Sequence, residues 1–483
     1  FSEALDTSAL STDAFALINL GADGAVGGGD DMTVPVSGID KSDTQRLLLL
    51  LAAPLPEGTY QLEVSPMAIT DLSGNPMASP YIKTFAAIGA PPSGTSNYWS
   101  RLGNGDWADA RNWSTGQVPV ASDNVWIHLP VAAPTVTISS VSPSINSMFV
   151  DGNLVVHNSG ELIVYGEGHI SGDLEISGNS SLVLDNRATG LSVTGMVTLN
   201  GGGLYLNAAG RTVSLPGLTT AVDATIQLVS SLDAPNFTSF LRGSFTVYGG
   251  VNAPNLTTMS GLRYQQGTGT NVSYPALKDC SDTSFQLLDG SVFHAPLWQE
   301  YRNIDYRQIA LSGTAVLDAP LLKAFGNAGF SVSAGAHFTL PAGATISWGD
   351  VGGDVFAVSS GSIDASGLKD ADIIQTCGAC TNASLNFNVY TNGVLDISGL
   401  TVFDGLARKS FQSGSGGELR LPNLVHMTST SIYASAPLSL PALSGIDGVG
   451  SRFQVDAGAS ISAPLLVAAQ NLTLDLSEGS FSL

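Results

Sequence analysis

The sequence predicts an all-β chain whose larger part is a long parallel β-helix, and three observations predict it. A short motif recurs: apolar, any, apolar, Pro, any, apolar. Its proline stands at 216, 235, 254, 275, 296, 320, 341, 422, 441 and 464, with Ser366 and Ser398 in that place in IDASGL and LDISGL. Successive motifs lie 19 to 32 residues apart, about one every 22, a period that marks stacked units unable to bury their faces alone. The flanking positions are apolar with strand spacing: Val213 and Leu215, Leu232 and Ala234, Val272 and Tyr274, Phe293 and Ala295. Finally, no stretch carries a helical period between motifs, so each unit is a short β turn of a coil.

Each element follows from local chemistry. The apolar residues three and one before the proline are two apart, so both point inward from a strand. The step across the proline is three, so the chain turns there while Leu218, Phe237, Leu256 and Leu277 still face inward. Proline lacks an N–H and its φ is fixed, which suits a corner and not a fully paired ladder. The repeated letters therefore mark one corner of a coil, and crossover chirality predicts a right-handed one. A leucine-rich horseshoe would need an L-x-x-L-x-L-x-x-N pattern, which is absent. Upstream, GNLVVHNSGELIVYGEGHISGDLEISGNSSLVLDN alternates apolar and polar residues between Gly-rich turns and predicts the first coils. Residues 151–483 would then form roughly 15 turns, a rod about 70 Å long at ~4.8 Å per layer.

Residues 1–88 predict short alternating strands joined by Gly, Asp and Pro turns, hence a β-sandwich. The stretches FSEAL at 1–5, EGTYQLEV at 57–64 and ITDLSGNPM at 69–77 resemble the bacterial Ig-like domains of surface-layer and large secreted proteins. That resemblance implies an Ig-like fold whose first strand precedes Phe1. Residues 89–97, GAPPSGTSN, predict a linker. Residues 98–150 open with YWSRLGNGDWADARNWSTGQVPVASDNVWI, which resembles the segment that opens β-helical passenger regions of secreted adhesins and autotransporters. Its Trp99, Trp107, Trp113 and Trp126 could stack on sugars. The preferred reading is an N-terminal cap sealing the open end of the coil. The lPxL rhythm of the coil itself also looks like that of receptor L domains.

Composition narrows the function. The chain has 40 acidic against 18 basic residues, a formal net charge of −22, which argues against nucleic acid and anionic membrane surfaces as partners. The longest apolar run, 47–53, is too short to span a bilayer. An extracellular or cell-surface protein fits, and the missing starting Met suggests a fragment or processed form. Of three cysteines, Cys377 and Cys380 in CGAC predict a local disulfide, and Cys280 a free buried thiol. No cofactor is expected. Asp23, Asp30 and Asp31 could hold structural calcium, but their spacing is not that of an EF-hand.

Parallel β-helices often carry polysaccharide-active sites. GEGHISG at 166–172 resembles the Gly-His-Gly of polygalacturonase-like sites, but Ile170 stands where a Gly is needed and no Asp pair precedes it. Asp233, Asp318, Asp364 and Asp396 each lie two before the corner residue and predict an outward acidic stripe more suited to solvation than to paired-carboxylate catalysis. The strongest ligand-binding candidate is HAPLWQEYRNIDYRQIAL at 294–311, which gathers Tyr301, Arg302, Asp305, Tyr306 and Arg307. No catalytic and no metal residues are assigned. The expected function is an extracellular or cell-surface structural or adhesive protein, its partners a cell-surface glycan or copies of itself. The competing expectation is a polysaccharide lyase or glycosidase with a lateral groove near 294–311. The C-terminal stretch still reads as strand to Leu483, so further coils or a second copy are expected over that end.

Overall fold

The computed structural model describes all residues except 1–2, 44, 88, 90, 130–132, 377–382 and 406–407. The chain is all-β, with a long parallel β-solenoid of about 17 turns. It divides into two compact units, residues 1–175 with 191–196 and residues 176–190 with 197–483. The disulfide expected between Cys377 and Cys380 lies outside the described residues. Cys280 is free and buried.

The first unit opens with a four-stranded antiparallel sheet in the order Met32–Val34, Phe15–Asn19, Gly58–Val64, Tyr81–Ala87. A separate antiparallel pair joins Val36–Asp40 to Leu48–Leu51. Leu5, Leu10, Ala14, Val64 and Ile69 form an apolar cluster against which Phe15, Ile39, Leu47, Leu62 and Met77 pack. In ITDLSGNPM the Asp71 carboxylate accepts the amides of Ser73 and Asn75, so this stretch is a turn closed by its own side chain. Asp23, Asp30 and Asp31 likewise accept the loop amides of Ala25, Ala22 and Gly27.

Parallel coils start earlier than residue 151. Strand Thr135–Ser139 pairs in parallel with Asn153–His157, and Asn124–His128 with Ser147–Asp151. Val125, Ile127, Val136, Ile138, Met148 and Val150 all fill the interior by simple alternation. These coils lack the proline corner, so the motif period cannot count them. Trp99, Trp107 and Trp113 are buried together, with edge-on ring contacts of 5.1 and 4.8 Å. The Trp113 indole donates to the Trp107 carbonyl, and Trp107 N–H to the Thr137 carbonyl on the first coil.

In the second unit the repeat has a fixed anatomy. A three-residue strand such as Thr212–Ser214 leads into the proline turn, and a long strand such as Leu218–Leu228 follows. Leu215, Ala234, Ala253, Tyr274 and Ala295 before the corner, and Leu218, Phe237, Leu256, Leu277 and Trp298 after it, are all buried. The long strand bends again at a residue of positive φ seven positions after the proline place: Asp223, Arg242, Gly261, Asp282, Asn327, Ser429 and Gly448. Because a side chain strains this backbone region, short polar residues and glycine dominate there. Polar ladders tie the coils at the proline corner. The Asn236 and Asn255 amides donate to the carbonyls of Pro216 and Pro235 one coil earlier, at 2.9 and 2.8 Å. The Thr238 and Thr257 hydroxyls donate to the carbonyls of Thr219 and Thr238.

Candidate functional site

Residues 294–311 hold a break in the regular pairing of the second unit. Strand Glu300–Ser312 pairs with Ala324–Ser333, but the register slips: Arg302 faces Gly326 and Arg307 faces Ala328. Residues 303–306 are therefore partly extra and stand out as a bulge, at the place where neighbouring coils make their second corner. Ile304 at its tip is 79% exposed. The bulge is braced from both sides: the Asn327 amide donates to the carbonyls of Asn303 and Ile304, and Ile304 N–H donates to the Asp282 carboxylate.

The five candidate residues face different ways. Tyr301 is an interior residue whose hydroxyl donates to the Thr283 carbonyl, and burial pushes its phenol well above the ordinary range. Arg302 lies on the flank, its Nε 2.7 Å from the Glu300 carboxylate. It lines a cleft of about 510 Å³ with Lys278, Asp279, Ser281, Leu297, Gln299 and Glu300. Asp305 is exposed on the bulge. The Tyr306 ring lies over Gly329 and Gly353, where a Cβ would collide with it, and its hydroxyl donates to the Asp354 carbonyl. Burial raises that phenol to about 12. The Arg307 guanidinium donates to the carbonyls of Asp282 and Tyr306. Of the five, Arg302 alone lines the cleft; Tyr306 and Arg307 brace the bulge.

The acidic positions before the corners also have partners. The Asn252 amide donates to Asp233, His294 pairs with Asp318 at 2.5 Å, and Arg420 approaches Asp396 at 3.6 Å. Asp364 accepts the Ser366 amide. Asp364 and Asp396 are register neighbours on adjacent coils.

Sequence reasoning missed a second polar group, in the first unit. His128 sits between two carboxylates, with Nε2 2.6 Å from Glu57 and Nδ1 2.8 Å from Asp151. Asp151 in turn accepts the Ser171 hydroxyl at 2.7 Å. Burial alone disfavours the charged imidazole, but Glu57 and Asp151 together outweigh it and raise the His128 pKa above 6.5. The Trp126 ring stacks on His128 at 5.0 Å. The only sequence signal was strand register, since His128 and Asp151 occupy equivalent outward positions of paired strands. Glu57 is remote in sequence and carried none.

Among the described residues no group of three or more His, Cys, Asp or Glu is placed to hold a metal ion. Among the same residues no helix is long and apolar enough to cross a membrane. No family model, no curated protein and no solved structure matches this chain.

Proposed function

We propose that this chain is an extracellular or cell-surface structural or adhesive protein, a β-solenoid whose flat outer faces display binding or assembly surfaces to a surface glycan or to copies of itself. The small antiparallel domain at 1–88 is read as Ig-like and as part of that display. The observation that carries the reading is how the outer polar groups are used. Asp223 pairs with Arg242, Asp318 with His294, Asp475 with Arg452, and Asn236 and Asn255 with backbone one coil away. Groups spent on tying coil to coil build a stiff, regular, solvated surface, and an acidic one keeps such surfaces from clumping.

A polysaccharide-degrading reading draws on the flank cleft, where Lys278, Asp279, Glu300 and Arg302 gather around a volume of about 510 Å³. Incubation with acidic and neutral polysaccharides separates the two. The display reading expects beads coated with the protein to be retained on polysaccharide films or to cluster, with no product released. New reducing ends or unsaturated-uronate absorbance, lost in the Glu300→Gln variant, would overturn it in favour of the enzyme.

A further inference from the structure

The GEGHISG stretch, set aside as an incomplete catalytic motif, contributes to a different surface. In the first unit, Asn97–Tyr98, Asn124–His128, Ser147–Asp151 and Glu167–Ile170 form one parallel sheet. Tyr98 pairs with Trp126, Trp126 with Phe149, and Phe149 with His169, so four rings share one row. Their neighbours Val125, Ile127, Met148 and Val150 fill the interior, so Phe149 and His169 point outward, while Trp126 in the same row is covered, 7% exposed. Phe149 and His169 stack at 5.0 Å with planes 25° apart.

Phe149 and His169 line a cleft of about 430 Å³ together with residues 92–95, Asn124, Ser147, Met148 and Glu167. The wall at 92–95 is held in place. The Asn124 amide donates to the Gly94 carbonyl at 2.8 Å, and the Ser96 hydroxyl to Asp123 at 2.8 Å. Phe149 is 43% exposed, an apolar ring kept in water on a strand where a polar residue would cost nothing. Among the described residues the side chains of Glu167 and His169 make no hydrogen bond or salt bridge, unlike His128 and Asp151 beside them.

We propose that this cleft binds a neutral pyranose sugar. A part-exposed aromatic ring suits the C–H face of a sugar ring. A carboxylate and an imidazole with no hydrogen-bond partner among the described residues suit its hydroxyls at the rim, the carboxylate by accepting two of them. The volume falls within the range of small-ligand pockets. Glu167 lines the cleft and the chain carries −22 overall, so a uronate or sulfated sugar is repelled. The proposal deepens the display reading by naming a ligand class, and it rests on that reading only for its biological setting.

The test is titration of the full chain with cellohexaose, mannohexaose, chitohexaose and, as the anionic control, hexagalacturonate. The readouts are the His169 imidazole NMR signals and calorimetry. At least one neutral hexasaccharide is expected to shift His169 with a Kd of about 1 mM or tighter. Phe149→Ala should weaken it at least tenfold and Glu167→Gln severalfold, while Phe149→Trp retains it. Both sites face solvent, and an unchanged circular dichroism spectrum shows that the fold persists. The proposal is overturned if no neutral hexasaccharide moves His169 at about 10 mM, if binding survives Phe149→Ala, or if hexagalacturonate binds more tightly. Any of these leaves the display reading standing, because that reading is decided by product release and bead retention and not by this cleft.

Discussion

Replacing Leu256 by alanine tests the register of the coil, and Asn255 supplies the control next to it. Leu256 follows the Pro254 corner and is fully buried, with Phe237 and Leu277, also fully buried, in the same place on the coils before and after. Backbone ladders fix the spacing of those coils, so the hole left by a truncated leucine cannot collapse. The cost should lie in the upper part of the Leu→Ala range, about 4–5 kcal/mol. Asn255→Ala removes one hydrogen bond, 2.8 Å to the Pro235 carbonyl, from an exposed residue, which costs about 1 kcal/mol. Judged by sequence alone, Asn255 is an outward neighbour of no consequence; the ladder makes it more than that. Stacked repeats need not unfold as one unit, so a single melting temperature is the wrong measure. Amide exchange read coil by coil is the right one. Leu256→Ala should lower protection across residues 231–266 by about 100-fold or more, and Asn255→Ala by about fivefold. Equal losses for the two variants, or a loss below about tenfold for Leu256→Ala, would refute the inward assignment and with it the corner model of the repeat.

Other outcomes follow from buried or paired groups. His128 has a folded pKa above its unfolded 6.5, so its contribution is full below about pH 6.5 and is lost as pH rises through the raised value. Asp151, lowered below 3.8 first by the Ser171 hydroxyl and then by His128, loses its contribution as pH falls through that lowered value. The stability gap between the natural chain and His128→Gln should therefore be widest between about pH 4 and 6.5 and should shrink above it; a gap that grows with pH contradicts the clasp. Lys409 is 3% exposed, with its ammonium 5.0 Å from the Phe403 ring, and burial lowers its pKa from 10.5 to about 8, against an opposing pull from Asp404. A depressed base costs stability while it is charged, so stability should rise between about pH 8 and 10.5, and Lys409→Met should stabilise the chain at pH 7 by up to about 3 kcal/mol, as read by urea denaturation at both pH values. Burial pushes the Cys280 thiol up, so peptide mapping after iodoacetamide treatment should find Cys280 unmodified in the folded chain and modified in urea; rapid native labelling would place it outside the coil.

The solenoid was legible because its strongest physical demand repeats. Every coil must put apolar side chains at the same places, and Leu215, Ala234 and Ala253 show that demand in plain letters. The second corner was not legible. It requires a backbone conformation and not a residue type, and Asp223, Arg242, Gly261 and Asn327 all meet it. The ladders through Asn236, Asn255 and Thr238 look in sequence like ordinary turn residues, because their partners are carbonyls, which no sequence displays. In the candidate site, the 24-residue spacing between Pro296 and Pro320 did report extra residues. It could not report that Tyr301 would point inward while Arg302 lined the flank, since a strand sends neighbours to opposite faces and the bulge falls just beyond them. The clasp at His128 needed Glu57 from a separate sheet, and nothing local announces a contact across 71 residues.

The regularity that hides such details also gives a rule for finding function on this fold. In a stack of parallel coils, an outward side chain always has a neighbour above and below at one rung's distance. Selection for stability alone fills those positions with pairs, as Arg242 with Asp223 and His294 with Asp318. An outward group left without a partner therefore gains nothing for the fold. Phe149 stacks on His169 yet leaves 43% of its surface in water, and Glu167 beside it keeps a carboxylate with no hydrogen-bond partner among the described residues, on rungs where His128, Asp151 and Ser171 are all engaged. Ile304 does the same at the tip of a bulge braced from both sides. The bulge costs the ladder several backbone bonds and needs glycines at 329 and 353 to seat Tyr306. Stability accounts for neither arrangement, and both are the places where the proposed display function puts recognition.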